Sequence, residues 1–194
     1  MANIVQFDKD KVLTKVSEVF QTKGFNGTSM QDLVEATGLN RSSIYNSFGS
    51  KMHLYLMALD NYSSHTKEQT RKVIEKSRSG LSAIKLIFSL YISTILDDKE
   101  KKGCMIANCK TELASSGKQE IISWLQHSQE ETLDFLEGLV AKGQIDGSIN
   151  KKQSPSQYAL YVFTALQGLK MTGILNHDHN ELEALASTFI DTIT

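Results

Sequence analysis

The sequence predicts an all-α chain, with an N-terminal three-helix domain over residues 1–51 and a larger helical domain over 52–194, about nine helices in all. Three observations lead there. The 194 residues contain one Pro, so almost nothing interrupts long helical stretches. Apolar residues recur at steps of three and four, whereas alternating β-branched runs are few. Residues Thr28 to Lys51 read as two short helices joined by a tight turn, with a third helix opening at their end.

From the N-terminus, Asp8 to Lys23 carries Val12, Val16, Val19 and Phe20 at helical spacing, and Gly24 stops it. Phe25 is expected in a small core with Ile44 and Phe48. Thr28 opens the next helix, and Gln31, three residues on, completes a capping box. Leu33, Val34 and Ala36 give that helix an apolar side. Gly38 reverses the backbone at a position that favours positive φ, Leu39 plugs the turn, and Asn40 caps a helix over about 41–47. At roughly 100° per residue, Ile44 and Phe48 fall on one side of that helix and Ser42, Tyr45 and Asn46 on the other. A polar second helix after a Gly turn is helix-turn-helix geometry.

A long helix runs from Ser50 to about Ser77, with Leu54, Leu56 and Leu59 near its start, and is long enough to be shared by two lobes. After Ser79 and Gly80, residues Leu81 to Leu96 are apolar nearly all round and predict a buried central helix. A charged loop follows, and a new helix begins near Met105. Lys118 to Lys142 is amphipathic, 143–150 is loop-like, and Ser154 with Pro155 makes a cap and first turn for the next helix. His177, Asp178 and His179 form a polar turn rather than a metal site, and Glu181 to Ile193 closes the chain. The last two helices are apolar over much of their circumference, which predicts a homodimer joined through a four-helix bundle.

The stretch from Thr28 to Lys51 resembles the DNA-binding domain of the tetracycline-repressor (TetR/AcrR) family. The likeness rests on Gly38, Leu39, Ile44, Tyr45, Phe48 and Lys51 at that family's spacings, and it covers the first quarter of the chain. Ser47 departs from the pattern, standing where His or Tyr is common, which weakens one expected backbone contact. The resemblance implies a nine-helix transcriptional regulator, a repressor, whose second short helix enters the major groove of a palindromic double-stranded operator. Thr28, Ser29, Gln31, Tyr45 and Lys51 would hold phosphates, with Ser47 beside them, while Arg41, Ser42, Ser43 and Asn46 would face base edges. It also implies a small-molecule effector in the C-terminal lobe, where Tyr62, Phe88, Tyr91, Trp124, Tyr158 and Phe163 could line an apolar site.

A second candidate input is Cys104. It follows Lys101, Lys102 and Gly103 at a helix N-terminus, and both features stabilise a thiolate. The segment from Gly103 to Leu113 resembles one found in a subset of the family, some of whose members sense oxidants or electrophiles through cysteine. Cys109 is about 140° around the helix from Cys104, so a bridge between them requires unwinding.

Composition bounds these readings. Net charge is −1, and residues 1–60 hold six Lys/Arg against six Asp/Glu, so any DNA binding must come from a few well-placed cations and a doubled interface. No signal peptide is read at the N-terminus, and no apolar run is read as reaching a membrane span, which makes a cytoplasmic protein with reduced thiols the expectation. Phosphate loops, nucleophile elbows and metal-hydrolase patterns are absent, so neither enzyme activity nor a cofactor is expected. The rival reading is a helical small-molecule sensor whose helix-turn-helix no longer reads a sequence.

Overall fold

The computed structural model describes residues 7–194, and among the described residues every regular element is a helix. The order is α1 Lys9–Gly27, α2 Met30–Thr37, α3 Arg41–Phe48, α4 Lys51–Ile74, α5 Gly80–Asp97, α6 Met105–Leu113, α7 Gln119–Asp146, α8 Pro155–Thr172 and α9 His179–Ile193. These nine helices pack as two compact units. The first contains the described residues up to Thr66 together with Cys104–Trp124, and the second contains Lys67–Gly103 with Leu125–Thr194. By packing, therefore, α6 belongs with the N-terminal helices, although it lies far from them in sequence.

In the first unit, Asp8 caps α1 by accepting from the Asp10 and Lys11 amides. The apolar stripe of α1, Val12, Val16 and Phe20, is buried as its spacing predicts. Gly24 does not end the helix. Its φ of 70° and ψ of 173° break the hydrogen-bond ladder, and the chain resumes a last turn through Gly27. Phe25 packs with Phe20 and Tyr55, at centroid separations of 6.2 and 5.1 Å, while Phe48 meets Phe7. Phe25 thus lies in an aromatic cluster of α1 and α4 side chains.

In the second unit, α5 supplies Ile84, Ile87, Phe88 and Ile92 to a core completed by α7, α8 and α9. That helix corrects one expectation. Gly80–Asp97 is 18 residues long and apolar enough to cross a membrane by length and composition. Its buried side accounts for that composition within the unit's own core. A Cβ on Gly80 would lie 2.3 Å from the Gly143 amide nitrogen and 2.4 Å from the Leu139 carbonyl, so α5 and α7 meet backbone to backbone there.

The end of α7 is a second correction. Residues 143–146, expected in a loop, continue the helix. Gly143 leaves room for Ile149, and the buried Gln144 side chain donates to the Asn150 and Gln153 carbonyls, both at 2.9 Å. The polar, Gly-bearing composition therefore serves a tight return of the chain over the helix end. Ser154 and Pro155 start α8 as expected, with Gln157 completing a capping box, and Asp178 caps α9 by accepting from the Glu181 amide at 3.0 Å.

Candidate nucleic-acid interface

Three local devices hold α2 and α3. The first is a capping box at the start of α2. The Ser29 hydroxyl accepts from the Asp32 amide at 3.1 Å, and the Asp32 carboxylate accepts from the Ser29 amide and hydroxyl at 2.7 Å each. The sequence pattern places the box one residue earlier, on Thr28 and Gln31, and the structure corrects this. Thr28 is 2% exposed and donates its hydroxyl to the Gly24 carbonyl at 2.6 Å. Gln31 donates to the Glu35 carboxylate at 3.0 Å. A full negative charge at the third position of a helix is the better acceptor there, because the helix N-terminus also stabilises it. The Thr28 hydroxyl is consequently committed to the fold and is not part of the exposed face.

The second device is the turn. Gly38 adopts φ 73° and donates its amide to the Val34 carbonyl, a left-handed cap that a side chain would strain. The Thr37 hydroxyl donates to the Leu33 carbonyl at 2.6 Å and accepts from the Leu39 amide at 3.2 Å. The third is Asn40, whose side-chain oxygen accepts from the Ser43 amide at 2.8 Å and starts α3.

These devices fix how α3 is turned. Ile44 and Phe48 are each 2% exposed, while Arg41, Ser42, Tyr45, Asn46 and Ser47 are exposed and Ser43 is half-buried. The Arg41 guanidinium sits 5.8 Å from the centroid of the Tyr45 ring, a cation–π pair one turn apart that orders both side chains. The surface thus offers a guanidinium, a phenol, an amide and hydroxyls from about two helical turns. Those groups suit phosphate oxygens and base edges.

Lys51 opens α4, shortly after the end of α3. Its ammonium lies 4.6 Å from the Phe25 ring centroid, and burial pushes its pKa down, against the Glu112 and Asp32 carboxylates, which push it up. The Ser50 hydroxyl accepts from the His53 amide at 3.1 Å and caps α4. His53 is exposed next to Lys51 and is not among the residues singled out from the sequence, although Ser50 three residues earlier is the signature of a helix start. Lys23, by contrast, is tied to Asp32 by a salt bridge. With the Ser29 amide and hydroxyl, it holds the Asp32 carboxyl well below the usual carboxylate range.

The six aromatic residues expected around an effector are divided between the two units. Tyr62 and Trp124 fall in the first, where Trp124 donates its indole N–H to Asp60 at 2.6 Å. Phe88, Tyr91, Tyr158 and Phe163 fall in the second, where Phe88 and Tyr158 are buried in the core and the half-buried Tyr91 and Phe163 pack against it. There Phe88 stacks with Phe189, Tyr91 faces Lys170 at 4.1 Å, and the Tyr158 hydroxyl donates to Asn150 at 2.6 Å. Of the thiols, Cys104 is the N-cap residue of α6, as expected, but it is buried. Cys109 is fully buried. Burial pushes its pKa up, with the Tyr55 hydroxyl opposing, so it is poorly suited to be a reactive thiolate. The two cysteines form no disulfide.

Residues 13–58 match the family model described as bacterial regulatory proteins, tetR family, and residues 80–189 match the one described as tetracyclin repressor-like, C-terminal domain. The uncharacterized HTH-type transcriptional regulator YezE of Bacillus subtilis is 34% identical over 107 residues, a match spanning 55% of each chain. The HTH-type transcriptional repressor ComR of Escherichia coli is 27% identical over 94% of this chain and 87% of its own. Among solved structures, a cysteine mutant of the TetR family regulator CifR, complexed with 26 bp double-strand operator DNA, superposes with a TM-score of 0.83. That match has 22% identity and covers 95% of this chain and 96% of the other.

Proposed function

Since this chain belongs to the TetR family of transcriptional regulators, which are not enzymes, we propose that it is a cytoplasmic, homodimeric repressor that releases its operator on an effector signal. The observation that carries this reading is the rotation of α3. Ile44 and Phe48 are buried while Arg41, Ser42, Tyr45 and Asn46 face outward, opposite the core. In the proposed complex Arg41 bridges guanine O6 and N7, Asn46 pairs with adenine, and Ser42 and Ser43 add shorter contacts. Ser29, Gln31, Tyr45, Ser47 and Lys51 hold phosphates and set the register. Repression is supported by the relative in Escherichia coli, which is named a repressor.

Dimerisation would bring two recognition helices about 34 Å apart onto successive grooves. Its support is an exposed apolar stripe on α8 and just beyond it, formed by Leu160, Met171 and Leu175 at 53%, 48% and 87% exposure. Thr164 and Gly168 lie between them on the same side, and the outer face of α9 is small and polar, with Ala184, Ser187 and Thr188 exposed. Small residues there allow a second copy to approach closely. The signal is a small molecule held by the C-terminal helices or a thiol-reactive compound acting at Cys104. A coupling of about 1–3 kcal/mol between signal and operator would lower affinity some 5–150-fold.

Base and phosphate roles separate in a binding-profile experiment. Arg41→Ala should relax preference at one base position at a cost of about 1–3 kcal/mol, whereas Lys51→Ala should weaken all duplexes alike and reduce the salt slope by about 1. Unchanged profiles in both variants would remove the assignment. Operator affinity that ignores thiol-reactive electrophiles would remove the cysteine input alone.

A further inference from the structure

We propose that Asn108 and Glu112 of α6 are positioning residues for DNA binding, because they bridge the break in α1 at Gly24 and so fix the segment that leads into α2. The proposal rests on the reading of α3 as the DNA-contacting helix and names what holds that helix in place from outside the motif.

An unbroken α-helix would pair the Phe25 amide with the Gln21 carbonyl. In this chain that pair is opened and α6 is inserted. The Phe25 amide donates to Glu112 Oε2 at 2.8 Å, the Asn26 amide donates to Glu112 Oε1 at 2.7 Å, and the Gln21 carbonyl accepts from the Asn108 side-chain amide at 3.3 Å. Asn108 and Glu112 are four residues apart and so share one face of α6. One carboxylate receiving two amides in this way makes charge-assisted bonds, stronger than the neutral ones they replace.

Gly24 fits the same arrangement. A Cβ there would stand 2.8 Å from Glu112 Oε2, so the glycine supplies both the positive φ of the break and the space for the carboxylate. The grip reaches both ends of the DNA-contacting motif. On one side, the Thr28 hydroxyl returns to the Gly24 carbonyl, and Ser29, the cap of α2, is the next residue. On the other, the ring of the clamped Phe25 supports the Lys51 ammonium at α4. Neither Asn108 nor Glu112 needs to touch DNA for their loss to be felt there.

The test uses the full chain with Glu112→Ala, Glu112→Gln and Asn108→Ala. It reads amide hydrogen exchange, and binding to a duplex that the wild type has selected from a random-sequence pool. In Glu112→Ala the Phe25 and Asn26 amides should lose at least about tenfold in protection while Leu33 and Ile44 keep theirs. Operator affinity should fall by about tenfold with the salt slope unchanged, since no phosphate contact is removed. The glutamine variant keeps one acceptor and turns a donor toward the other amide, so it should fall between the two and serves if the alanine variant does not fold. Wild-type protection at Phe25 and Asn26 in the Glu112 variants would overturn the clamp. So would lost protection with undiminished operator affinity. If the wild-type protein itself selects no sequence, the DNA reading fails while the exchange data still judge the clamp.

Discussion

Asp32 has more to do than its position in the first turn of α2 suggests. It closes the capping box with Ser29 and also pairs with Lys23, and these partners hold its carboxyl well below the ordinary value of 3.8. A group whose pKa is lower in the folded than in the unfolded chain stabilises the fold above the unfolded value. That contribution is lost as pH falls toward the folded value. Asp32→Asn should therefore be less stable than wild type at neutral pH, and the difference should shrink progressively below about pH 4. Urea unfolding at a series of pH values checks this, and a difference that stays constant down to pH ~2.5 would contradict it. The same carboxylate bears on binding, because its pairing with Lys23 directs that cation to the fold and leaves Arg41 and Lys51 as the cations of the proposed interface.

At the scale of helices, close approach outweighs propensity. Gly80 and Gly143 let α5 and α7 touch through their backbones, so Gly80→Ala should cost about 3 kcal/mol by forcing the two apart. Gly138 lies in α7 where an added Cβ would meet nothing within 4 Å, and Gly138→Ala should instead gain about 0.5–1 kcal/mol from helix propensity. Chemical denaturation of the two variants gives opposite signs, and equal losses in both would undo the packing argument. The same contrast explains what can be read from the sequence. The rotation of α3 is legible because Ile44 and Phe48 alternate with Ser42, Tyr45 and Asn46 at helical period. The cap of α2 is misplaced by one residue because Thr28 with Gln31 and Ser29 with Asp32 both fit the pattern, and only the fold shows that Thr28 turns back to Gly24. The contribution of Glu112 is not legible at all, since it meets Phe25 across 87 residues of chain. Residues 143–146 are misread for a related reason: their helical state depends on Ile149 and Asn150 folding back on them.

For the molecule as a whole, the proposed function requires two copies acting together. A chain of net charge −1 with a short proposed recognition helix would make few phosphate contacts, and doubling them in a dimer would give an operator complex useful affinity. Met171→Glu should place a charge in the exposed stripe of α8, shift sedimentation from dimer toward monomer at micromolar concentration, and weaken operator binding without disturbing helix content. A wild-type chain that sediments as a monomer under those conditions would contradict the dimer. The most direct measurement is fluorescence anisotropy at about 0.15 M salt, comparing a duplex the protein has selected with a scrambled duplex of the same composition. An α3 that reads sequence predicts at least about 10³-fold tighter binding to the selected duplex, and Tyr45→Ala should weaken both. Equal affinity for the two duplexes would contradict the account.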